Sequence, residues 1–248
     1  MALDQEQFSN QTLTEHLTDL RKRIVNSLLG LAIVTCVSYA YSDKIFNIVR
    51  QPIAPFLPTG GLFFAAPADK FMVHLKLSLV CGLIFSCPIW LSQIWMFIAP
   101  GLYKNERKFA AGFVISGTLL FLMGVAFAYF GVLPAAFEFL LSYGGDQDKP
   151  MIMMDQYLSF FTQMCLIFGV AFELPLVMVV LGLLGIVSQK FLRKNRRYAI
   201  VVLSILAAIA TPPDVYSMMM MLVPLVALFE VSIILVGFFE RKRLASEL

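Results

Sequence analysis

Two acidic residues with basic neighbours could bind a cationic partner. Asp19 stands just before the basic run 21–23, and Glu106 is the single acid in the loop 99–108. A carboxylate accepts hydrogen bonds from ammonium and guanidinium groups. Exposed ion pairs within a chain contribute only about 0–1 kcal/mol. Two interpretations stay open, namely local pairing with neighbours such as Arg107 and recognition of a cationic partner.

Two further carboxyl groups interrupt long apolar stretches. Glu173 is the only charged residue in 157–188, close to Pro175, and Glu230 precedes Glu240 by ten residues. An ionisable residue inside a membrane is costly, so it is expected to face protein, water or a partner helix. For Glu173 the alternative is a protonated structural hydrogen-bonding group. For Glu230, which Lys or Arg side chains could reach, structural and functional roles are weighted equally.

The sequence offers no catalytic constellation. Neither a Gly-x-x-x-x-Gly-Lys-Ser/Thr phosphate loop nor a His-Glu-x-x-His zinc motif is present. The four cysteines fall in uncharged apolar runs, where free thiols behave as small hydrophobic groups. We therefore expect no enzyme activity, no metal, no cofactor and no nucleic-acid partner.

Composition indicates the environment in which these carboxyl groups lie. Of the 248 residues 59% are hydrophobic and 14% are charged, and the mean hydropathy is +0.81. Soluble domains average about 45–50% apolar and about 25% charged residues. The sequence therefore predicts an all-α integral membrane protein, forming a single polytopic domain over residues 1–248.

The charged residues divide the chain into apolar segments of membrane-spanning length. About 20 apolar residues at a rise of 1.5 Å cross the hydrocarbon core. The last two spans are expected to be short, because the turn 211–214 limits the fifth. The six predicted spans are 24–41, 71–99, 109–134, 157–188, 198–213 and 215–239.

A lead-in segment precedes the first span. In residues 11–23, Leu13, Leu17 and Leu20 follow the spacing of an amphipathic helix. One interpretation is an interfacial helix whose basic end contacts anionic headgroups of the bilayer. The other is that the segment presents Asp19 to a cationic partner.

Basic residues predict the orientation of the spans. With both termini on the cytoplasmic side, 14 of the 19 Lys and Arg residues lie inside. Cytoplasmic loops of membrane proteins carry such an excess of basic residues. The sequence therefore predicts that both termini are cytoplasmic.

Five motifs, occurring in order along nearly the whole chain, resemble those of the TatC family, the membrane-embedded core of the twin-arginine protein translocase. The motifs are His16-Leu17-x-Asp19-Leu20-Arg21-Lys22-Arg23, Phe97-Ile98-Ala99-Pro100-Gly101-Leu102-Tyr103-Lys104-Asn105-Glu106-Arg107, Phe127-Ala128-Tyr129-Phe130, Phe168-Gly169-x-x-Phe172-Glu173-x-Pro175 and Thr211-Pro212-Pro213-Asp214. The resemblance implies a concave bundle of six helices in the bacterial inner membrane.

The resemblance also implies a binding site for signal peptides that carry paired arginines. Its two carboxylates fall on Asp19, where the family usually has Glu, and on Glu106, with Glu15 as the second choice for the first position. Arg21 and Arg107 belong to the same two motifs and are assigned to the same surface. Guanidinium groups form fork-like paired hydrogen bonds with carboxylates, which Lys reproduces poorly.

Partners are implied in the same way. The resemblance implies export of folded proteins with TatA and TatB, driven by the proton-motive force, in a complex that contains several copies of the chain. Glu173 is expected to contact a partner helix, and Glu230 is placed in the same intramembrane group. Pro52, Pro212 and Asp214 are expected to hold the loops outside.

A second function class remains at this point. A proton-coupled small-solute transporter could use Glu173 and Glu230 as a proton relay. Such a transporter would take up solute without partner proteins, whereas a translocase receptor would bind signal peptide and transport nothing alone.

Overall fold

The chain is mainly helical in the part that the structure describes. The computed structural model describes residues 13–57, 61–98, 110–142, 151–211 and 215–246. Within them the only extended pairing is an isolated bridge between Phe63 and Met153. Four helical stretches are long and apolar enough to cross a membrane, and a bent helix pair makes a fifth.

Helix α1, Leu13–Ala40, joins the predicted lead-in and first span without a break. Only 6% of its apolar window is buried inside the protein, so its apolar side chains face outward. Helix α2, Ser42–Val49, and a 3-10 turn, Ala54–Phe56, follow it.

The predicted second span is bent rather than straight. Helices α3, Asp69–Phe85, and α4, Cys87–Ile98, meet at an angle of 52°. Pro88 in the first turn of α4 has no backbone N–H to donate to the preceding turn, which favours a break there. The indole N–H of Trp90 donates to the carbonyl oxygen of Leu83 at 3.0 Å, which stabilises the bend.

The third span extends beyond its predicted end at residue 134. Helix α5, Ala110–Phe127, continues through a π-helical turn, Ala128–Val132, into α6, Leu133–Ser142. The π turn lies just before Pro134. Because proline removes one ladder hydrogen bond, a π bulge next to it allows the helix to continue.

The fourth span is the central element of the bundle. Helices α7, Met154–Phe172, and α8, Leu174–Leu183, have half of their joint apolar window buried. The helix ends five residues before the predicted boundary at 188, and Gly185 there has φ +75°. Glycine adopts this left-handed conformation without the strain that a side chain would bring.

The prediction of a short sixth span is wrong. After α9, Gln189–Lys194, helix α10, Arg196–Ala210, has 15 residues, whereas α11, Val215–Ser246, has 32. At 1.5 Å per residue α10 is about 22 Å long, less than the hydrocarbon core of about 30 Å. The fifth span is short but the sixth is not, because the apolar span of α11 is Val215–Glu240, 26 residues long, in agreement with the predicted bounds 215–239.

The helices pack as an N-terminal group and a C-terminal group. Helix α1 lies against α3 and α4, α5 against α4 and α7, and α8 against α11, while α10 contacts mainly α11. The central α7–α8 segment therefore connects the N-terminal helices to the C-terminal pair.

Candidate functional site

The break in the central span places a carboxyl group inside the bundle. Glu173 is the residue between α7 and α8, and Pro175 in the first turn of α8 removes a backbone donor at that point. The Glu173 side chain lies in the protein interior, with only 8% of the residue exposed. This burial fits the expectation that the acid faces protein rather than lipid, and its contact with a partner helix stays a prediction.

Helix α5 packs closely against the Glu173 carboxyl group at Gly117, which has no side chain to obstruct it. A Cβ atom on Gly117 would lie 3.3 Å and 3.4 Å from the two carboxyl oxygens, and 3.1 Å from a methyl group of Leu176. The buried hydroxyl oxygen of Thr118 follows on the same helix. Among the described residues, Oε1 of Glu173 has no hydrogen-bond partner. Because an unpaired buried carboxyl oxygen is energetically costly, a polar group that reached it would be bound strongly.

An aromatic cluster forms the neighbouring wall. Trp95 of α4 stacks on Phe113 of α5, with ring centroids 4.2 Å apart and the planes inclined by 12°. Trp95 is buried together with Val180 of α8. Since Phe113 lies one turn before Gly117 on α5, this stack fixes the helices that frame the carboxyl group.

The carboxylate predicted to bind arginine lies near the beginning of α1. Asp19 Oδ2 accepts a hydrogen bond from Arg23 Nε at 2.8 Å, with 37% of the Asp19 side chain and 20% of the Arg23 side chain exposed. The side chains of Arg21 and Lys22 are exposed. A half-exposed carboxylate of this kind is accessible to a ligand from solution.

The second carboxylate of the predicted peptide site belongs to a loop outside the described residues. Glu106 and Arg107 lie outside the described residues, as do Pro212 and Asp214, and the side chain of Glu15 is not described either. The proximity of Asp19 and Glu106 therefore stays a prediction. Pro52 is described and is buried near the end of α2.

Glu230 forms an ion pair between the last two helices. Its Oε2 lies 2.8 Å from Nη2 of Arg196, the first residue of α10, and both side chains are roughly half exposed. The pair joins α10 to α11. The contact favours a structural role for Glu230. It agrees with the expectation from the sequence that a Lys or Arg side chain could reach this carboxylate.

Two tyrosines that were given no role from the sequence, one of them within the third motif, hold α2 against the bundle. The Tyr129 hydroxyl donates to the carbonyl of Ile48 at 2.8 Å, and the Tyr157 hydroxyl donates to the carbonyl of Val49. Carbonyls in the last turn of a helix lack intrahelical donors. A tyrosine in an apolar span needs a hydrogen-bond partner for its hydroxyl. This requirement could have identified both tyrosines from the sequence as residues that form a contact between helices.

A polar cluster that sequence reasoning also missed connects α3 to α7. Lys76 Nζ lies 2.7 Å from the Ser159 hydroxyl and 3.3 Å from an Asp155 carboxyl oxygen. The residues are 79 and more positions apart in the chain. Their pairing depends on how the two helices pack, which the local sequence does not reveal.

Comparison with known proteins assigns the family. The family model described as "Sec-independent protein translocase protein (TatC)" matches residues 15–224. A relative named "Sec-independent protein translocase protein TatC" from Carboxydothermus hydrogenoformans is 43% identical over 237 residues, which are 95% of this chain and 97% of that protein. The chain belongs to the TatC family. The protein of the same name from Escherichia coli K12 is 36% identical over 94% of this chain and 90% of its own length.

Solved structures agree with the TatC assignment. The crystal structure of a "Twin Arginine Translocase Receptor- TatC" covers 90% of this chain and 98% of its own, with a TM-score of 0.81 and 36% identity. A second, in DDM, covers 90% and 100%, with a TM-score of 0.82 and 35% identity. The chain is thus a membrane-embedded protein-translocase component of a non-enzymatic transport family. This assignment replaces the small-solute transporter alternative.

Proposed function

We propose that the chain is the receptor subunit of a twin-arginine translocase. It binds signal peptides with paired arginines at the cytoplasmic face of the inner membrane. With TatA and TatB it exports folded proteins, using the proton-motive force. The observation that carries the proposal is the partly exposed carboxylate of Asp19, which lies within the residues 15–224 that the TatC family model matches. The similar crystal structure named as a twin-arginine translocase receptor supports it.

Arginine recognition at this position has a simple physical basis. The Asp19 carboxylate can accept paired hydrogen bonds from a guanidinium group, and Glu106 supplies a second carboxylate for the second arginine. Each exposed pair contributes up to about 1 kcal/mol. The peptide therefore also needs its apolar segment, which leaves water for the membrane and supplies most of the binding free energy.

Glu173 has a different role in the proposal. Its buried carboxyl group, with Oε1 unpaired among the described residues, packs against α5 at Gly117. A donor group on a transmembrane helix of TatA or TatB fits this chemistry, since interhelical hydrogen bonds in membranes contribute about 0.6–2 kcal/mol. Such a contact orders the partner without taking part in peptide binding.

The proposed arrangement in the membrane counts α10, the fifth span in chain order, as a crossing, which gives six spans in all. Both termini then lie in the cytoplasm, and several copies of the chain assemble with TatB. The short α10 crosses the membrane at a place where the bilayer is locally thinner or where neighbouring helices cover the ends of α10. Local thinning of this size costs fractions of a kcal/mol per Å of mismatch.

Binding of matched peptides to purified protein in nanodiscs tests the receptor function. A labelled signal peptide with Arg-Arg should bind more tightly than the same peptide with Lys-Lys. Asp19→Asn should weaken Arg-Arg binding several-fold, and Lys22→Gln, a nearby surface change, serves as the control. Equal binding of both peptides to the unaltered protein would reject the receptor function.

The same preparation separates the role of Glu173 from peptide binding. Glu173→Gln should leave the affinity for the Arg-Arg peptide within two-fold and reduce co-purification of TatB or TatA. The amide keeps the size of the side chain, so the fold is preserved. Loss of peptide binding with unchanged co-purification would contradict the assigned role.

A further inference from the structure

We propose that Arg23 is an internal competitor for the Asp19 carboxylate, which an arginine of the signal peptide must displace. The inference rests on the proposed function, because it adds a residue to the same site. It assigns to Arg23 a part in setting peptide affinity, separate from the carboxylates that bind the peptide.

The geometry of α1 carries this inference. Arg23 follows Asp19 by four residues, and its Nε donates to Oδ2 of Asp19 at 2.8 Å. Residues four apart lie on one face of a helix, and an acid that precedes its base is the favourable order. The Arg23 side chain is only 20% exposed, so it lies along the protein surface rather than extending into solution.

The occupying group has the same chemistry as the ligand. A peptide guanidinium binds a carboxylate most strongly through two parallel hydrogen bonds, one to each oxygen. Arg23 already donates to Oδ2, so a peptide guanidinium that bound both oxygens of Asp19 would share Oδ2 with a second cation. Because the two guanidinium groups carry the same charge and repel each other, paired binding of the peptide arginine favours release of Oδ2 by Arg23.

The neighbouring basic residues do not share this arrangement. Among the described side chains, Arg23 alone of the run 21–23 pairs with an acid, whereas Arg21 and Lys22 are exposed. Lys22→Gln therefore removes the same charge from the adjacent position without freeing the carboxylate. It is the matched control for Arg23→Gln.

The size of the effect follows from the strength of such pairs. An acid-base pair four residues apart on a helix corresponds to a factor of roughly two in equilibrium. Removal of Arg23 should thus tighten peptide binding roughly two-fold beyond the effect of removing a nearby charge.

The experiment measures the binding of a fluorescein-labelled synthetic signal peptide with Arg-Arg and an apolar segment to the full chain in nanodiscs. Four variants are compared with the unaltered protein: Arg23→Gln, Lys22→Gln, Asp19→Asn and the double variant Asp19→Asn with Arg23→Gln. We expect Arg23→Gln to bind about two-fold more tightly than Lys22→Gln. The Asp19→Asn variant has no carboxylate for Arg23 to occupy. Adding Arg23→Gln to it should therefore tighten peptide binding no more than Lys22→Gln tightens binding in the unaltered chain.

The outcomes separate this inference from the proposed function. If Asp19→Asn weakens binding but Arg23→Gln binds no more tightly than Lys22→Gln, the competitor role is wrong and the receptor function stands. Weaker binding by Arg23→Gln would mean that Arg23 supports the carboxylate, which also overturns the inference. If Asp19→Asn binds like the unaltered chain, Asp19 is not in the site and both assignments fail.

Discussion

The close approach of α5 and α7 at Gly124 should make this position intolerant of any side chain. A Cβ atom there would lie 2.9 Å from the carbonyl carbon of Phe168 and 3.0 Å from the Cα of Gly169. Favourable contacts between carbon atoms are about 3.5–4.0 Å long. Because the obstructing atoms belong to the α7 backbone, Gly124→Ala must push the two helices apart. Overpacking of this kind costs about 1–3 kcal/mol.

Gly112 offers a matched control on the same helix. A Cβ atom there meets nothing within 4 Å. Both substitutions gain the same helix propensity, about 0.8–1.0 kcal/mol for Gly to Ala. The difference between the two variants therefore isolates the overpacking cost. Gly124→Ala should be less stable than Gly112→Ala by about 1–3 kcal/mol, or roughly 2–12 °C in melting temperature.

The cysteines supply the assay. Cys81, Cys87 and Cys165 are buried, whereas Cys36 is exposed. A thiol-reactive fluorescent dye added to the purified protein in detergent should therefore show a rise in signal as the helices separate on heating. If Gly124→Ala melts at or above the temperature of Gly112→Ala, the close helix contact does not limit stability and the reasoning is refuted.

Two other contacts give stability predictions that the same melting assay can check. Tyr157→Phe removes the hydroxyl that donates to the buried carbonyl of Val49 and should lower the free energy of unfolding by about 1–2 kcal/mol. Tyr129→Phe removes a more exposed contact and should lower it less. A larger loss for Tyr129→Phe than for Tyr157→Phe would contradict this reasoning. A double-mutant cycle of Arg196→Gln and Glu230→Gln should give a coupling energy of about 0.2–1 kcal/mol, since both side chains are roughly half exposed. A coupling near zero would show that the pair does not hold α10 to α11.

Sequence alone was sufficient to locate the long apolar helices. The hydrocarbon core excludes charged side chains, so the positions of Lys, Arg, Asp and Glu mark the helices without knowledge of their packing. The same reasoning located Glu173 inside the bundle, where the structure buries it. It also found the short α10, because basic residues and a proline pair limit it on both sides.

Features that depend on packing could not be predicted. The bend at Ser86 and the continuation of α6 past Pro134 arise from how a proline is accommodated, since a proline can kink, end or merely interrupt a helix. The hydroxyl contact of Tyr157 with Val49 joins residues 108 positions apart. The local sequence specifies that such a group needs a partner but does not specify which one.

The two carboxyl groups at the centre of the proposal differ in what their surroundings allow them to do. Asp19 is half exposed and already paired, so exchange of one guanidinium for another changes its free energy little. In the proposed function it can therefore exchange Arg23 for a peptide arginine and release the peptide readily. Glu173 is buried with an unpaired oxygen, so a partner that satisfies it gains more and leaves more slowly. The first suits ligands that must pass through, and the second suits a subunit contact that must persist during transport.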